Sequence, residues 1–380
     1  MAQIAKDQQA LVLEEKHAKF TIDSVPVPKP SKDEVLVKIY SSALNPVDWK
    51  IQKYGWFVEE YPAILGMDIA GEVVQLGEGV SESGLVGVGD RVFLQGLFDR
   101  NDYRGFQQYA LADVHTLAEI PSNVTYDQAS TIPVAITTAY VALYNAAPHG
   151  LGFVPPVRPD GKGKYANTPI VILGGSSSVG QYAIQLAKLS GFNPIITTSS
   201  LKHEEWLKSQ GATHVVDRNR PLTAQNVEKL TSQPVLTVFD AISSADTQEQ
   251  AIDLVAPGGR IAVVLDVVDS VKAKAVRQNK TTVRVFAIKT LTADHEEKLR
   301  EFWANATKLL ENGDLKPNKV EVLPNGLIGV SEGLKRLEAN QVSGAKLVAR
   351  PQEKFESMSI YNIEATNESL NAMKDDRLTK

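Results

Sequence analysis

Residues Pro169 to Lys188 read PIVILGGSSSVGQYAIQLAK, and this stretch decides the fold. Ile170 to Leu173 form an apolar run, typical of a strand buried on both faces of a parallel sheet. After a turn of small residues, apolar side chains return at helical spacing, at Val179, Ala183, Leu186 and Ala187. The pattern predicts a strand, a turn and a helix whose N-terminus can bind a phosphate.

The turn combines glycines with a run of serines. Its glycines allow a ligand to approach the backbone closely, and its serines offer hydroxyl and N–H groups to an anion. The dinucleotide fingerprint G-x-G-x-x-G would place a glycine where Ser177 stands, so the turn alone leaves nucleotide binding and plain strand–helix packing equally open. The candidate phosphate-binding residues are Gly175, Ser176, Ser177, Ser178, Val179 and Gly180.

Composition narrows the class of protein. A chain of 380 residues is long enough for two domains. The net charge of −5 and the isoelectric point near 5.8 argue against nucleic-acid binding. No apolar run reaches the roughly 18 residues of a membrane span, and the N-terminus lacks a signal or transit pattern. We therefore expect a cytoplasmic protein that acts on a small molecule.

Cysteine and histidine usage limits the chemistry. The chain has no cysteine, which excludes disulfides, thiol catalysis and cysteine-ligated zinc. None of its six histidines has a partner at short metal-ligand spacing. We expect no bound metal.

The pattern changes along the chain. Up to about residue 130, short strands alternate with turns, which predicts a β-rich domain. From about Tyr126, helices and strands alternate, which predicts a doubly wound parallel sheet. Its first strand ends at Leu173, so the turn would lie at the carboxyl edge of the sheet, where such sheets bind ligands.

Further motifs, taken in order and spacing, resemble the medium-chain dehydrogenase/reductase superfamily from Gln9 to Arg350. The zinc alcohol dehydrogenases of that superfamily carry a cysteine near the Asn45 position, a Gly-His-Glu segment at Gly66–Asp68 and a four-cysteine lobe, all missing here. The chain is thus similar to the zinc-free quinone oxidoreductases and fungal trans-acting enoyl reductases. The motifs are LNPVDWK (44–50), GMDIAGEVV (66–74), VGDRVF (88–93), IPVAITTAY (132–140), GGSSSVG (174–180), APGGRI (256–261) and VSGAKLV (342–348).

The resemblance implies an α/β fold with a GroES-like domain built from both chain ends around a central Rossmann domain. The implied ranges are 1–132 and 308–351 for the GroES-like domain and 133–307 for the Rossmann domain, followed by a polar tail at 352–380. It also implies NADPH as cofactor. Its nicotinamide half would lie on Asn45, Asp48, Trp49 and Lys50, with Thr138 at the nicotinamide ribose and the backbone near Val264 and Leu265 at the carboxamide. Ser343 and Lys346 match the closing strand of the family, where further contacts with the cofactor occur.

The residues themselves also favour NADPH over NADH. An NAD enzyme usually carries an acidic residue after its second strand, to bind the ribose 2′-hydroxyl. Here that strand runs into TTSSLK (197–202), which has no carboxylate. Ser199, Ser200 and Lys202 could hold a 2′-phosphate, and Arg218 could stack on adenine or add charge. The alternative is that Lys202 and Arg218 are solvated surface charges.

Without a metal to polarise a carbonyl, hydride transfer to a conjugated acceptor is favoured: an enone, an enal, an enoyl thioester or a quinone. Tyr54 is the candidate proton donor and Lys50 the candidate charge stabiliser, although Tyr54 could equally be part of an aromatic pocket wall with Trp49, Trp56, Phe57 and Tyr61. An aldehyde reductase, an enoyl reductase serving a polyketide synthase and a non-catalytic NADPH-binding protein remain alternatives. Whether the protein is a monomer or a homodimer stays open.

Overall fold

The computed structural model describes residues 4–220 and 222–353, so most of the predicted 352–380 tail lies outside the described residues. The strands are β1 (Asp7–Leu13), β2 (Phe20–Pro26), β3 (Glu34–Ala43), β4 (Ala63–Ile64), β5 (Asp68–Leu76), β6 (Arg91–Gln95), β7 (Tyr109–Asp113), β8 (Leu117–Glu119), β9 (Ile170–Leu173), β10 (Ile195–Ser199), β11 (His214–Asp217), β12 (Thr237–Asp240), β13 (Arg260–Val263), β14 (Thr281–Arg284), β15 (Lys319–Val322) and β16 (Ala345–Ala349). The α-helices are α1 (Pro46–Tyr54), α2 (Val80–Ser83), α3 (Tyr126–Ser130), α4 (Pro133–Tyr144), α5 (Ser178–Ser190), α6 (Glu204–Gln210), α7 (Ala224–Glu228), α8 (Ala245–Leu254), α9 (Asp269–Arg277), α10 (Ala293–Glu311) and α11 (Gly326–Glu338).

The central part of the chain forms a parallel sheet in the order β11-β10-β9-β12-β13-β14. This is the doubly wound order, in which the chain reverses direction across the sheet between β9 and β12. Every residue of β9 is fully buried, as the apolar run Ile170 to Leu173 predicts. Helix α5 begins where Ser177 Oγ accepts a hydrogen bond from the Gly180 N–H at 3.0 Å, and it ends at the left-handed Gly191.

The remaining strands form a β-rich unit to which both ends of the chain contribute. Its main sheet has the order β15-β16-β3-β5-β6-β8, with β7 also paired to β3. Strand β16 pairs antiparallel with β3 through Val348 and Ala43, so residues from the C-terminal third complete a sheet begun near the N-terminus. The GroES-like and Rossmann-like α/β architecture expected from the sequence is confirmed.

Strand β2 pairs with β1 at the edge of a small sheet. Its half-buried Phe20 and Ile22 alternate with exposed Thr21 and Asp23 and pack against the core, so the apolar alternation typical of a strand is visible in the sequence. None of the helices in the described residues is long and apolar enough to cross a membrane.

The two parts share an apolar contact through α10. Trp303 on this helix is 1% exposed, and its ring meets the edge of Phe93 in β6 with centroids 5.3 Å apart. The helix runs unbroken through residue 307, so the predicted boundary between 307 and 308 falls inside it. The proposed domain ranges stay a prediction. Because α10 packs against a strand of the β-rich unit, the stabilities of the two parts are coupled.

Trp303→Ala is expected to lower the free energy of unfolding by about 3–5 kcal/mol, because it leaves a cavity between β6 and α10. Val276→Ala is the control: Val276 is 84% exposed, and its truncation should change stability by less than about 0.5 kcal/mol. Equilibrium denaturation in urea measures both. Equal effects would show that the Trp303 contact carries no special weight.

Candidate cofactor and acceptor site

The turn after β9 has backbone geometry that only small residues fit. Gly174 has a φ of +77°, in the left-handed region. A Cβ on Gly175 would come within 2.1 Å of Thr197 Oγ1, and one on Gly180 within 2.3 Å of the Gly174 carbonyl oxygen. The backbone of the turn therefore packs directly against β10 and the start of α5, with no room for larger side chains. Such a cradle fits a pyrophosphate at the N-terminus of α5.

The serines of this turn have different partners. Ser177 caps α5, and Ser178 Oγ accepts a hydrogen bond from the side chain of Asn318 in the segment before β15. Ser176 and Val179 are half-buried beside them. The structure thus brings the predicted turn residues together at one helix end and ties that end to the other part of the chain.

Charged and hydroxyl side chains gather where β10 and β11 end. Ser199 is buried, and its carbonyl oxygen accepts the Arg218 N–H at 2.9 Å. Lys202 and Arg218 are exposed. Burial, followed by the positive charges of Lys202, Lys319 and Arg218, lowers the pKa of His203 below its usual value. We call His203, Lys202, Lys319 and Arg218 the basic cluster; Ser200 precedes Lys202 by two residues in the chain.

The basic cluster contacts the closing segment before β16. His203 Nε2 lies 2.9 Å from Ser343 Oγ. A Cβ on Gly344 would come within 2.4 Å of the His203 ring, so the ring packs directly on the backbone of this segment. The predicted cofactor residue Ser343 thus lies next to the predicted 2′-phosphate site.

A buried polar cluster lies in the β-rich unit, next to the start of α4. We call it the inner polar cluster and define it as Asn45, Asp48, Asp68 and Lys346. Asp68 Oδ2 accepts hydrogen bonds from Asn45 Nδ2 at 2.8 Å and from Lys346 Nζ, and Lys346 Nζ also donates to Asn45 Oδ1 at 3.0 Å. Asp68 and Lys346 side chains are 0% and 3% exposed. Their charges are paired inside the protein.

Asp68 also determines where α4 begins. Its Oδ1 accepts the Val134 N–H, in the first turn of α4, at 2.6 Å. A carboxylate at a helix N-terminus satisfies a free N–H and complements the helix dipole. Thr138 follows on α4, 8% exposed, with its hydroxyl donating to the Val134 carbonyl at 2.7 Å. The hydroxyl oxygen can still accept a hydrogen bond, so a role at the ribose stays a prediction.

Asp48 has a structural use that the motif did not reveal. Its carboxyl oxygens accept the backbone N–H of Asn45 at 2.8 Å and of Gly66 at 3.3 Å, which caps α1 and holds Gly66 against it. Burial, aided by Asp68, raises the pKa of Asp48 to about 7. Its predicted contact with a cofactor would therefore compete with bonds the chain already makes.

The predicted catalytic pair lies on one face of α1. Lys50 and Tyr54 are four residues apart, and Tyr54 ends the helix before the left-handed Gly55. The Lys50 ammonium lies 5.6 Å from the Trp49 ring and 5.8 Å from the Trp56 ring, and burial lowers its pKa.

The rings around Tyr54 form a continuous aromatic surface, here defined as Trp49, Tyr54, Trp56, Phe57 and Phe98. Neighbouring centroids along this series are 5.2 to 6.3 Å apart. Tyr54, Trp56 and Phe57 are 40 to 45% exposed, unusual for large apolar rings. A surface of this kind can receive a flat or apolar acceptor.

The Val264 and Leu265 backbone follows β13 at the same edge of the parallel sheet. The Val264 N–H donates to Ser243 Oγ at 2.8 Å. A carboxamide contact at this point would thus fall to the Val264 carbonyl or to Leu265, and it stays a prediction.

Sequence reasoning missed Asp68, His203 and Lys319. Asp68 stands in the GMD motif, where it replaces the acid of the zinc enzymes, and that position was the available signal. Its partner Lys346 is 278 residues away, a pairing that no local pattern reveals. His203 adjoins Lys202 in sequence, whereas Lys319 comes near them only when the chain is folded.

Among the described residues no group of three or more His, Asp or Glu side chains is placed to hold a metal.

Comparison with known proteins agrees with this architecture. Residues 31–122 match the alcohol dehydrogenase GroES-like domain, and residues 178–304 match the zinc-binding dehydrogenase family. A trans-enoyl reductase from Penicillium oxalicum is 30% identical over 371 residues, which cover 92% of this chain and 98% of that protein. The chain belongs to the medium-chain dehydrogenase/reductase family. Its branch includes trans-enoyl reductases and quinone oxidoreductases.

Solved structures of related proteins support the fold of this chain. A quinone oxidoreductase from Coxiella burnetii is 25% identical with a TM-score of 0.69, over 90% of this chain and 99% of that one. An alcohol dehydrogenase described as zinc-dependent from Rhizobium etli has a TM-score of 0.77 at 24% identity, over 92% of this chain and 100% of that one. The second likeness concerns the fold alone.

Lys346→Met is expected to lower the free energy of unfolding by about 3–5 kcal/mol, because it leaves Asp68 charged and buried without its lysine. Lys335→Met is the matched control, since Lys335 pairs with Glu332 at the surface and should contribute under about 1 kcal/mol. Urea denaturation at neutral pH distinguishes them. A Lys346 variant as stable as the control would show that this ion pair does not stabilise the β-rich unit.

Proposed function

We propose that this protein is an NADPH-dependent reductase that transfers hydride, without zinc, to a conjugated C=C bond in an enone, enal or enoyl thioester, or to a quinone. The observation that carries the proposal is the inner polar cluster. Where the zinc dehydrogenases resembled by the sequence place cysteine and histidine ligands, this chain has Asn45 and Met67, and its Asp68 is bonded to Lys346. The donor set favours polar binding of an organic ligand over a metal.

The glycine turn after β9 and the basic cluster support NADPH as the cofactor. The turn fits a pyrophosphate, and Ser199, Ser200, Lys202 and Arg218 lie at the ends of β10 and β11, where the adenosine ribose lies in doubly wound sheets. The segment after β10 carries no carboxylate to bind a 2′-hydroxyl. Positive side chains are suited to a 2′-phosphate.

Lys202→Ala and Arg218→Ala should each raise the KM for NADPH by roughly tenfold or more, through loss of a charge-assisted hydrogen bond, and leave the KM for NADH nearly unchanged. Lys208→Ala is the matched control, because Lys208 pairs with Glu204 on α6 instead. Steady-state kinetics with both cofactors measure the effect. A wild-type preference for NADH, or equal losses for the two cofactors, would contradict the assignment.

The chain's residues suggest how the reaction is organised. NADPH supplies hydride from its nicotinamide when bound. Asn45 and Lys346 would hold polar groups at the interior side, and Thr138 would accept a hydrogen bond from the ribose. The aromatic surface would orient the acceptor, and the partly buried Lys50 would stabilise negative charge that develops on it. Tyr54 would supply the proton that completes the reduction, to the α-carbon of a conjugated carbonyl acceptor or to an oxygen of a quinone.

Tyr54→Phe should lower kcat by about 100-fold if Tyr54 is the general acid, with the KM for NADPH unchanged. Tyr40→Phe is the control, because Tyr40 stacks on Tyr126 in β3 and α3. Full turnover by the Tyr54 variant would assign the proton to solvent and leave Tyr54 as part of the pocket wall.

The direct test of the proposed function is NADPH oxidation with a panel of enals, enones, quinones, aldehydes and enoyl thioesters. We expect conjugated acceptors to exceed saturated aldehydes. The match to a trans-enoyl reductase over nearly its full length favours an enoyl thioester as the substrate. A polyketide synthase that carries this thioester is then the candidate protein partner. Activity only on a carrier-bound thioester would support that partner. NADPH binding without oxidation by any acceptor would contradict catalysis.

A further inference from the structure

Arg104 is a buried cation with unused hydrogen-bonding capacity. The residue is only 2% exposed. Its Nη2 donates to the Phe98 carbonyl, whereas Nε and Nη1 have no acceptor in the described part of the chain. Arginine is rarely buried without a full set of acceptors, because a guanidinium withdrawn from water needs compensation. Both nitrogens are buried in the protein, so a ligand that supplies the missing acceptors has to displace the side chains that cover them.

The position of Arg104 relates it to the candidate site. The loop 96–104 is held at both ends: the Gly96 N–H donates to the Met67 carbonyl and the Gly105 N–H to the Gly66 carbonyl, each at 2.8 Å. Gly66 in turn donates to Asp48 of the inner polar cluster. On its other side the guanidinium carbon lies 5.8 Å from the Phe98 ring, the last member of the aromatic surface. Arg104 therefore lies near both the aromatic surface and Asp48 of the inner polar cluster.

The nearby acids do not neutralise Arg104 through a direct contact. Asp48 and Asp99 act on it only at a distance, and burial dominates, lowering its pKa to about 10. Arg104 is thus cationic at neutral pH. Both oxygens of Asp48 are already occupied by backbone N–H groups. By contrast, Arg100 on the same loop is half exposed and bonds to Tyr103 and Glu34.

We infer that Arg104 is an acceptor-binding residue, whose Nε and Nη1 take the carbonyl oxygen of a conjugated thioester or ketone as that oxygen becomes negative. The inference rests on the proposed function and names the group that holds the oxygen. It selects acceptors that carry a carbonyl over an isolated C=C bond.

The electron balance of the step is simple. The acceptor takes hydride at its β-carbon with oxidation of NADPH to NADP⁺, and the C=C electron pair moves toward the carbonyl oxygen to form an enolate. Arg104 stabilises this oxyanion without giving up its proton. A proton from Tyr54 or solvent then forms the α-C–H bond and restores the carbonyl.

The kinetic test uses Arg104→Met, Arg104→Lys and the control Arg100→Met with crotonyl N-acetylcysteamine as acceptor. Arg104→Met should lower kcat by about 100-fold, as loss of an oxyanion donor does elsewhere, with the KM for NADPH unchanged. Arg104→Lys should recover part of the loss, and Arg100→Met should keep wild-type turnover. Wild-type turnover by a folded Arg104→Met protein would overturn the inference.

A binding test separates this inference from the proposed function. Acetoacetyl N-acetylcysteamine ionises to an enolate with its own ultraviolet absorption. Bound with saturating NADP⁺, it should ionise at a pH lower by about one unit or more, because a cation lies beside the oxygen. Arg104→Met should abolish this shift and Arg100→Met should keep it. No shift in the wild type overturns the role of Arg104, whereas a shift without reduction of any acceptor overturns only the proposed reductase activity.

Discussion

The carboxylate of Asp68 is the constraint on which the rest of the structure depends. It binds the side chains of Asn45 and Lys346 and the backbone N–H of Val134. These groups come from the start of α1, from the last strand and from the first turn of α4. One buried anion therefore orients three segments that are distant in sequence. Because an unpaired charge is costly to bury, each donor is needed to keep the others in place.

The consequence reaches both halves of the proposed site. Through α1, the Asp68 contacts set the direction of Lys50, Tyr54 and the aromatic surface; through α4, they set the position of Thr138. The edge of the parallel sheet then adds the glycine turn and the basic cluster. His203 contacts Ser343, so the far end of the cofactor site is also bridged by residues of both parts. The proposed reductase chemistry needs such agreement between domains, since hydride transfer depends on alignment.

Much of this fold is readable from local pattern. The run Ile170 to Leu173 and the small-residue turn predict a central strand and a turn that fits a phosphate, because burial on both faces demands apolar residues and a tight turn excludes side chains. Other features are not readable locally. From its motif Asp48 is predicted to be a pocket residue, although its oxygens cap a helix.

The sequence by itself determined the fold class and the family and supplied candidate cofactor residues, because these depend on spacing along a few residues of chain. Only the tertiary structure decided which polar groups meet: Lys346 with Asp68, His203 with Ser343, and Arg104 with no protein acceptor for two of its nitrogens in the described residues. The physical reason is that pairing and desolvation depend on distance in space. Folding brings together residues that are hundreds of positions apart, and a short stretch of sequence does not indicate which distant residues it will contact.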